Sequence, residues 1–186
     1  MDVLKRFVRA IDRVDDVIGH ALSWMVLGVV VVCFAVVVLR YGFHTGDIRL
    51  QQAYVWMHAC VFMVGASYTM AKGGHVRVDI FYERMSRRRQ AWVDLLGTLF
   101  FLLPWLVVIA WTGWSFVAMS WRIAEPSSEA GGLPAVYLLK SVILVFCGLV
   151  AMQGLAMAAR SILVLMGEAE PAEPAKALET AETRHD

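Results

Sequence analysis

The polar stretch AKGGHVRVDIFYERMSRRR, residues 71–89, contains the residue types from which several kinds of functional site are built. It holds adjacent glycines, a histidine, acidic residues and a dense group of Lys and Arg residues. Gly73 and Gly74 could cradle a phosphate, but the Lys-Ser or Lys-Thr ending of a P-loop is missing. A net charge of +1 gives no global basic field for nucleic acid. The stretch therefore has to be interpreted from the elements that flank it.

The flanking elements are long apolar runs. Hydrophobic residues make up 59% of the 186 residues and the mean hydropathy is +0.62, more than a soluble domain of this size can bury. A helix needs about 20 apolar residues to span a bilayer. Four runs have this length: 21–39, 53–71, 95–119 and 141–159. The first is longer than a signal-peptide core and lacks a cleavage motif, so we interpret it as a retained span. The sequence predicts an all-α integral membrane protein whose four transmembrane helices form one domain, residues 21–166.

Basic residues predict the orientation of these spans. If the N-terminus is inside, the cytoplasmic segments hold most of the Lys and Arg residues. Both termini are therefore predicted to face the cytoplasm. Within the loop 71–89, the basic residues expected to fix topology and attract anionic lipid are Arg84, Arg87, Arg88 and Arg89.

Further features are predicted at the ends and within the third run. In residues 1–20, apolar residues recur at steps of three and four: Leu4, Phe7, Ile11, Val14 and Ile18. This pattern predicts an amphipathic helix that lies on the inner leaflet, and the alternative is that the first span simply continues into water. Residues 167–186 are rich in Ala, Glu and Pro and are predicted to form a disordered cytoplasmic tail. Pro104 predicts a tilt or kink in the third span.

The span interiors contain few groups that could carry a solute or hold a cofactor. No Asp, Glu, Lys or Arg lies in the middle of any span, where charged residues usually mark a transport path. His20 and His75 are predicted at the inner edge and His44 and His58 in the outer half, so no pair matches the depth that bis-histidine haem needs. The cysteines stand alone, without a CxxC pair: Cys33, Cys60 and Cys147. We predict no catalytic residue, cofactor or metal. A four-helix membrane anchor of the b-type cytochrome class is the alternative function, and a free-standing membrane protein is a third.

Small residues mark faces where another helix could approach closely. The pairs are Gly65 with Ala66, Cys147 with Ala151, and Gly154 with Ala158. Two alternatives stay open, because these faces could meet a partner subunit or pack against one another.

Two segments resemble the signature regions of a known family, the DctQ-like small membrane subunit of tripartite ATP-independent periplasmic (TRAP) transporters. They are VWMHACVFMVGASYTMAKGGHVRVDIFYERMS, residues 55–86, and EPSSEAGGLPAVYLLKSVILV, residues 125–145. The most specific part is the S-x-E-x-GGLP core followed by a Leu-Lys pair. Many members carry acidic residues before the second span, where this chain has Gln51 and Gln52.

The resemblance implies a division of labour among three proteins. A large membrane subunit of about a dozen helices carries substrate and sodium, and a periplasmic solute-binding protein delivers the substrate. The small subunit is non-catalytic, braces the large one in the bacterial inner membrane and helps the binding protein dock. Organic acids are the usual cargo of the family. On this basis the candidate partner contacts are Trp56, Gly65, Ala66, Gly73, Gly74, His75, Asp79, Gly131, Gly132, Pro134, Lys140, Gly154 and Ala158.

Two loops carry the most specific expectations. Gly73 and Gly74 let the chain leave the second span sharply, and Asp79 caps a short amphipathic piece in the membrane interface. Residues 71–89 either brace the large subunit or serve only topology and lipid contact. The Gly131-Gly132 pair belongs to a turn that starts the fourth span, and residues 122–134 are expected to touch the docking protein.

Overall fold

The computed structural model describes residues 2–74, 82 and 84–167, and within this part of the chain the regular structure is entirely helical. The helices are α1 (Asp2–Gly42), α2 (Ile48–Ala71), α3 (Arg87–Gly97), α4 (Leu103–Arg122) and α5 (Val136–Leu165), and a π-helical turn (Thr98–Leu102) joins α3 to α4. The all-α prediction is confirmed. His75, Asp79 and the predicted tail from residue 168 onward lie outside the described residues.

Within the described residues, 3 helical elements are long and apolar enough to cross a membrane: α1, the continuous rod Arg87–Arg122, and α5. Helix α2 contains the predicted second span but is not among them. Its 24 residues include polar side chains such as Gln52 and His58, which dilute its apolar character. The chain is thus a multi-pass membrane protein. That α2 also spans the membrane, and that both termini face the cytoplasm, stay predictions.

Helix α1 runs without a break for 41 residues, or about 61 Å, roughly twice the thickness of a bilayer's hydrocarbon core. The predicted amphipathic segment 1–20 is therefore continuous with the first span, and its place at the inner leaflet stays a prediction. Its buried residues are Val8, Ile11, Asp15 and Gly19. Within the predicted apolar stripe, Ile11 is buried, whereas Phe7 and Val14 are 44% and 45% exposed, and contact of the stripe with the inner leaflet stays a prediction.

The buried face of α1 is selected by what packs against it. Val8 and Ile11 form a cluster with Ala156 and Ala159 of α5. Farther along, Gly19 meets the Tyr68 ring of α2 so closely that an added Cβ would overlap the ring. Periodicity alone could not show these neighbours.

The irregularity predicted at Pro104 takes the form of the π-helical turn that precedes it. Proline has no backbone N–H and its ring crowds the carbonyl four residues earlier. The chain widens there, and the Leu103 N–H donates to the Thr98 carbonyl, five residues back. Pro104 then occupies the first turn of α4, where its missing donor is tolerated.

Helix α5 is the centre of the molecule and contacts α1, α2, α3 and α4. A second cluster joins Cys147 and Val150 of α5 to Leu106 of α4. Small residues such as Gly154 and Ala156 are fully or almost fully buried along α5, which lets neighbouring helices approach closely.

Candidate functional site

The loop between α4 and α5 is fastened to the start of α2 by Gln52. The Gln52 Nε2 donates to Ser127 Oγ over 2.8 Å, and the Leu133 backbone N–H donates to Gln52 Oε1 over 2.6 Å. The Glu129 N–H also donates to Ser127 Oγ, at 3.2 Å. Gln52 stands where many members of the resembled family carry an acidic residue. It therefore makes neutral hydrogen bonds to the S-x-E-x-GGLP core.

The two glycines of this core occupy positions that other residues would not fit. Gly131 has a φ of +79°, the left-handed region that favours glycine, and its carbonyl accepts a bond from Arg49 Nε at 3.1 Å. A Cβ on Gly132 would lie 2.7 Å from Gln52 Oε1. Pro134 beside them is exposed. The predicted turn at the start of α5 is confirmed, and its geometry serves the contact with α2.

Lys140 closes the same loop from the α5 side. Its ammonium forms an ion pair with Glu125 and lies 4.0 Å from the centre of the Phe116 ring. The hydrogen bond from Lys140, with a smaller contribution from Ser120, lowers the pKa of the Glu125 carboxyl below its ordinary value. Lys140, a candidate partner contact, therefore makes an ion pair and a ring contact within this chain.

An indole reinforces this end of the bundle. Trp121 Nε1 donates to Ser141 Oγ over 2.8 Å, and its ring lies 4.6 Å from that of Tyr137. Together with Gln52 and Lys140, these contacts make residues 122–141 and the start of α2 a single folded surface. This end of the bundle is the one predicted to face outward, and it is called the outer end below.

Gly73 and Gly74 end α2 as predicted. Gly73 has a φ of +68° and its N–H donates to the Met70 carbonyl at 3.1 Å, while the Gly74 N–H donates to the Thr69 carbonyl at 2.9 Å. This is the Schellman arrangement, which satisfies the carbonyls at a helix C-terminus. The two glycines thus turn the chain sharply out of α2.

The small-residue candidates pack inside the chain. A Cβ on Gly65 would lie 3.4 Å from the Leu22 side chain of α1, and one on Gly154 would lie 2.8 Å from that of Leu102. Ala66 packs against the cluster of α4 and α5, and Ala158 is 6% exposed. These residues therefore make contacts inside the chain, and their contact with a partner subunit stays a prediction.

The remaining described candidates lie nearer the surface. Trp56 is half-buried on α2. The basic residues at and before the start of α3 are all exposed: Arg84, Arg87, Arg88 and Arg89. Their exposure suits contact with lipid headgroups, and their part in topology stays a prediction.

Sequence reasoning missed a charged network at the opposite end of the bundle, which is predicted to face the cytoplasm and is called the inner end below. Asp12 of α1 pairs with Arg160 of α5, and Asp16 pairs with Lys72 at the end of α2 over 2.7 Å. The hydrogen bond to Asp16 raises the pKa of Lys72 above its ordinary value. The i, i+4 spacing of the two aspartates was the available signal, since such residues share one helix face.

Between these ion pairs lies a buried polar group of residues. Asp15 is 2% exposed, and Ser67 and Gln153 are 0% exposed. The Ser67 hydroxyl donates to the Val64 carbonyl at 3.2 Å, whereas Asp15 Oδ2 and both polar side-chain atoms of Gln153 have no partner among the described residues. Asp15 follows Ile11 by four residues, so its place on the buried face could have been read from the helical period.

No group of three or more His, Cys, Asp and Glu side chains that could hold a metal ion occurs among the described residues. His20, His44 and His58 are exposed there, on separate segments. The arrangement that the structure builds best is a set of helices fastened to one another at both ends.

Comparison with known families gives one match. The family model described as "Tripartite ATP-independent periplasmic transporters, DctQ component" matches residues 29–164. The matched range includes α2, the rod Arg87–Arg122, the loop held by Gln52 and nearly all of α5. Neither the curated proteins nor the solved structures yielded a match.

Proposed function

Because the chain belongs to the DctQ component family of tripartite ATP-independent periplasmic transporters, we propose that it braces the large membrane subunit of a sodium-gradient-driven uptake system. In this role it is non-catalytic. It resides in the bacterial inner membrane and its folded outer end helps a periplasmic solute-binding protein to dock.

The observation that carries the bracing role is the contrast between the ends and the sides of the molecule. At the outer end Gln52 and Lys140 fasten the loop, and at the inner end Arg160 and Lys72 fasten α1 to α5 and α2. The spanning helices, by contrast, expose large apolar side chains, including Trp111 at 82%. A body that is fixed internally and apolar on its sides is suited to hold another membrane protein in place.

The topology proposal adds α2 as a fourth span and places both termini in the cytoplasm. Helix α2 has 24 residues, or about 36 Å, which is enough to cross the hydrocarbon core. It packs against α1 and α5, both of which are apolar enough to span. Cysteines introduced near each terminus should react with a membrane-impermeant reagent only after the cells are opened. Labelling of either terminus from outside would contradict this topology.

The direct test of function is purification of the tagged chain from native membranes in mild detergent, followed by mass spectrometry. We expect a large polytopic membrane protein in stoichiometric amount. A protein that purifies alone would contradict the proposal, and a Soret band in its visible spectrum would favour the cytochrome alternative.

A further inference from the structure

Helix α4 is packed on one side only. It contacts α5 and the π-helical turn before it, whereas α1 contacts both α2 and α5. Its outward side presents large apolar residues with the following exposed fractions: Val107 63%, Trp111 82% and Trp114 66%. Val107, Trp111 and Trp114 are three and four residues apart, so they share one exposed helix face.

The depth of this face follows from the charged residues that bound it. The helical rod from Asp94 to Arg122 is about 42 Å long, close to the roughly 40–45 Å of a bilayer with its headgroup regions. Its midpoint falls near residue 108. Trp111 then lies about 5 Å and Trp114 about 9 Å from the membrane centre, inside a hydrocarbon half-thickness of about 15 Å.

At this depth an exposed indole is a poor match for lipid. Tryptophans usually lie at the membrane surface, where the N–H finds an acceptor. Trp121 conforms, because it donates to Ser141 near the outer end of the rod. Within the described residues, no hydrogen-bond acceptor is recorded for the N–H of Trp111 or Trp114. Lipid tails offer none, and an unpaired donor in hydrocarbon is costly.

We propose that the Trp111–Trp114 face of α4 docks against a spanning helix of the large membrane subunit, one that presents acceptor oxygens near the membrane centre. Hydroxyl groups and carbonyls freed at breaks in a helix are such acceptors, and both occur in transporter cores. Tryptophan is also the residue type most enriched at the energetic centres of interfaces. This inference rests on the proposed function and identifies the face through which it acts.

A photo-crosslinking experiment tests the face directly. Benzoylphenylalanine is placed at Trp111, and separately at Phe34 of α1, which is 68% exposed within the predicted first span and serves as the matched control. We expect the Trp111 position to yield an adduct with the large subunit more efficiently than the Phe34 position. An adduct only with lipid or with a second copy of this chain overturns the inference, as does a large-subunit adduct from Phe34 alone. If the inference fails in one of these ways but the large subunit still co-purifies, the proposed function stands. If the large subunit does not co-purify with the unmodified protein, the inference and the proposed function both fail.

A second experiment isolates the N–H groups. Phenylalanine at Trp111 or Trp114 keeps an aromatic ring but removes the donor. Each substitution is expected to weaken binding of the large subunit about threefold, and both together about tenfold. Trp24→Phe is the control, because Trp24 is 74% exposed near the inner end of the predicted first span and should not change binding. A double variant that is monodisperse and binds like the wild type overturns the inference.

Discussion

Replacing Gln52 by alanine should release the loop between α4 and α5 from α2. Gln52 is the residue on α2 that both donates to Ser127 and accepts from Leu133. Alanine removes both bonds and leaves the Leu133 N–H without this acceptor. The remaining ties of the loop, such as the Arg49 bond to Gly131 and the ion pair of Lys140 with Glu125, lie on either side and are unchanged by the substitution.

The size of the effect follows from the number of bonds lost. A net hydrogen bond contributes about 1 kcal/mol, so two contribute about 2 kcal/mol. If this stabilisation is local, the fraction of molecules with an open loop should rise about 30-fold. Because Leu133 is half-buried, water can only partly replace the lost acceptor, and the effect should not be much smaller than this.

Hydrogen exchange of the amides in residues 127–135 measures this opening directly. In Gln52→Ala we expect exchange at Leu133 to accelerate about 30-fold, while the amides in the middle of α5 exchange as in the wild type. Gln51→Ala is the matched control. The Gln51 side chain is exposed and makes no hydrogen bond to the loop among the described residues. Gln52→Glu should stay close to the wild type, because a carboxylate also accepts from the Leu133 N–H and the Ser127 hydroxyl. Equal protection in Gln52→Ala and the wild type would refute the reasoning, and so would equal loss in the two alanine variants.

Other perturbations probe the packing and the charges. Gly154→Leu should lower the free energy of unfolding by about 1–3 kcal/mol, because an added Cβ would lie 2.8 Å from the Leu102 side chain. Gly148→Leu is the control and should not lower it, because nothing lies within 4 Å of an added Cβ there. Thermal unfolding in detergent compares the two variants. Gly73→Ala should cost about 1 kcal/mol in the same assay, because its φ is +68°, and an unchanged melting temperature would count against the helix ending described for α2. The ion pair with Lys140 lowers the pKa of Glu125 from 4.5, so its stabilisation is present above about pH 4.5 and is lost as the pH falls through the lowered value. The wild type should therefore lose its advantage over Glu125→Gln in acid, and a difference that is constant from pH 7 to about pH 3 would contradict this linkage.

The helices and one of their endings were predictable because they depend on local properties. Apolar runs of sufficient length predict spanning helices whatever their neighbours are. Gly73 and Gly74 predicted the sharp ending of α2, since few other residues adopt a positive φ there. Pro104 predicted an irregularity in the third run, although it could not show that the chain would widen into a π-helical turn.

The contacts between distant segments were not predictable from periodicity. Gln52 was recognised only as a departure from an acidic pattern, yet it contacts residues about 80 positions away, at Leu133. The face of α1 that packs inside the chain, which includes Val8 and Gly19, was not predicted, because α5 and Tyr68 select it. Gly65 and Gly154 carried a pattern that fits internal and external packing equally well, and only the structure shows their neighbours within the chain, Leu22 and Leu102.

The central place of α5 has a consequence for the biogenesis of the chain. Synthesis proceeds from the N-terminus, so α5 is the last of the described helices to leave the ribosome, although α3 and α4 pack chiefly on it. Helices α1 and α2 can associate early, because they are neighbours in the chain. The rod Arg87–Arg122 makes its main helix–helix contacts with α5, so it gains them only after α5 has been inserted. We therefore expect a nascent chain stopped after Arg122 to be degraded rapidly by membrane quality control, and one extended past Leu165 to persist, which pulse-chase of arrested chains can measure. Commitment to the native arrangement then comes only after α5, the helix on which the others pack, has been inserted.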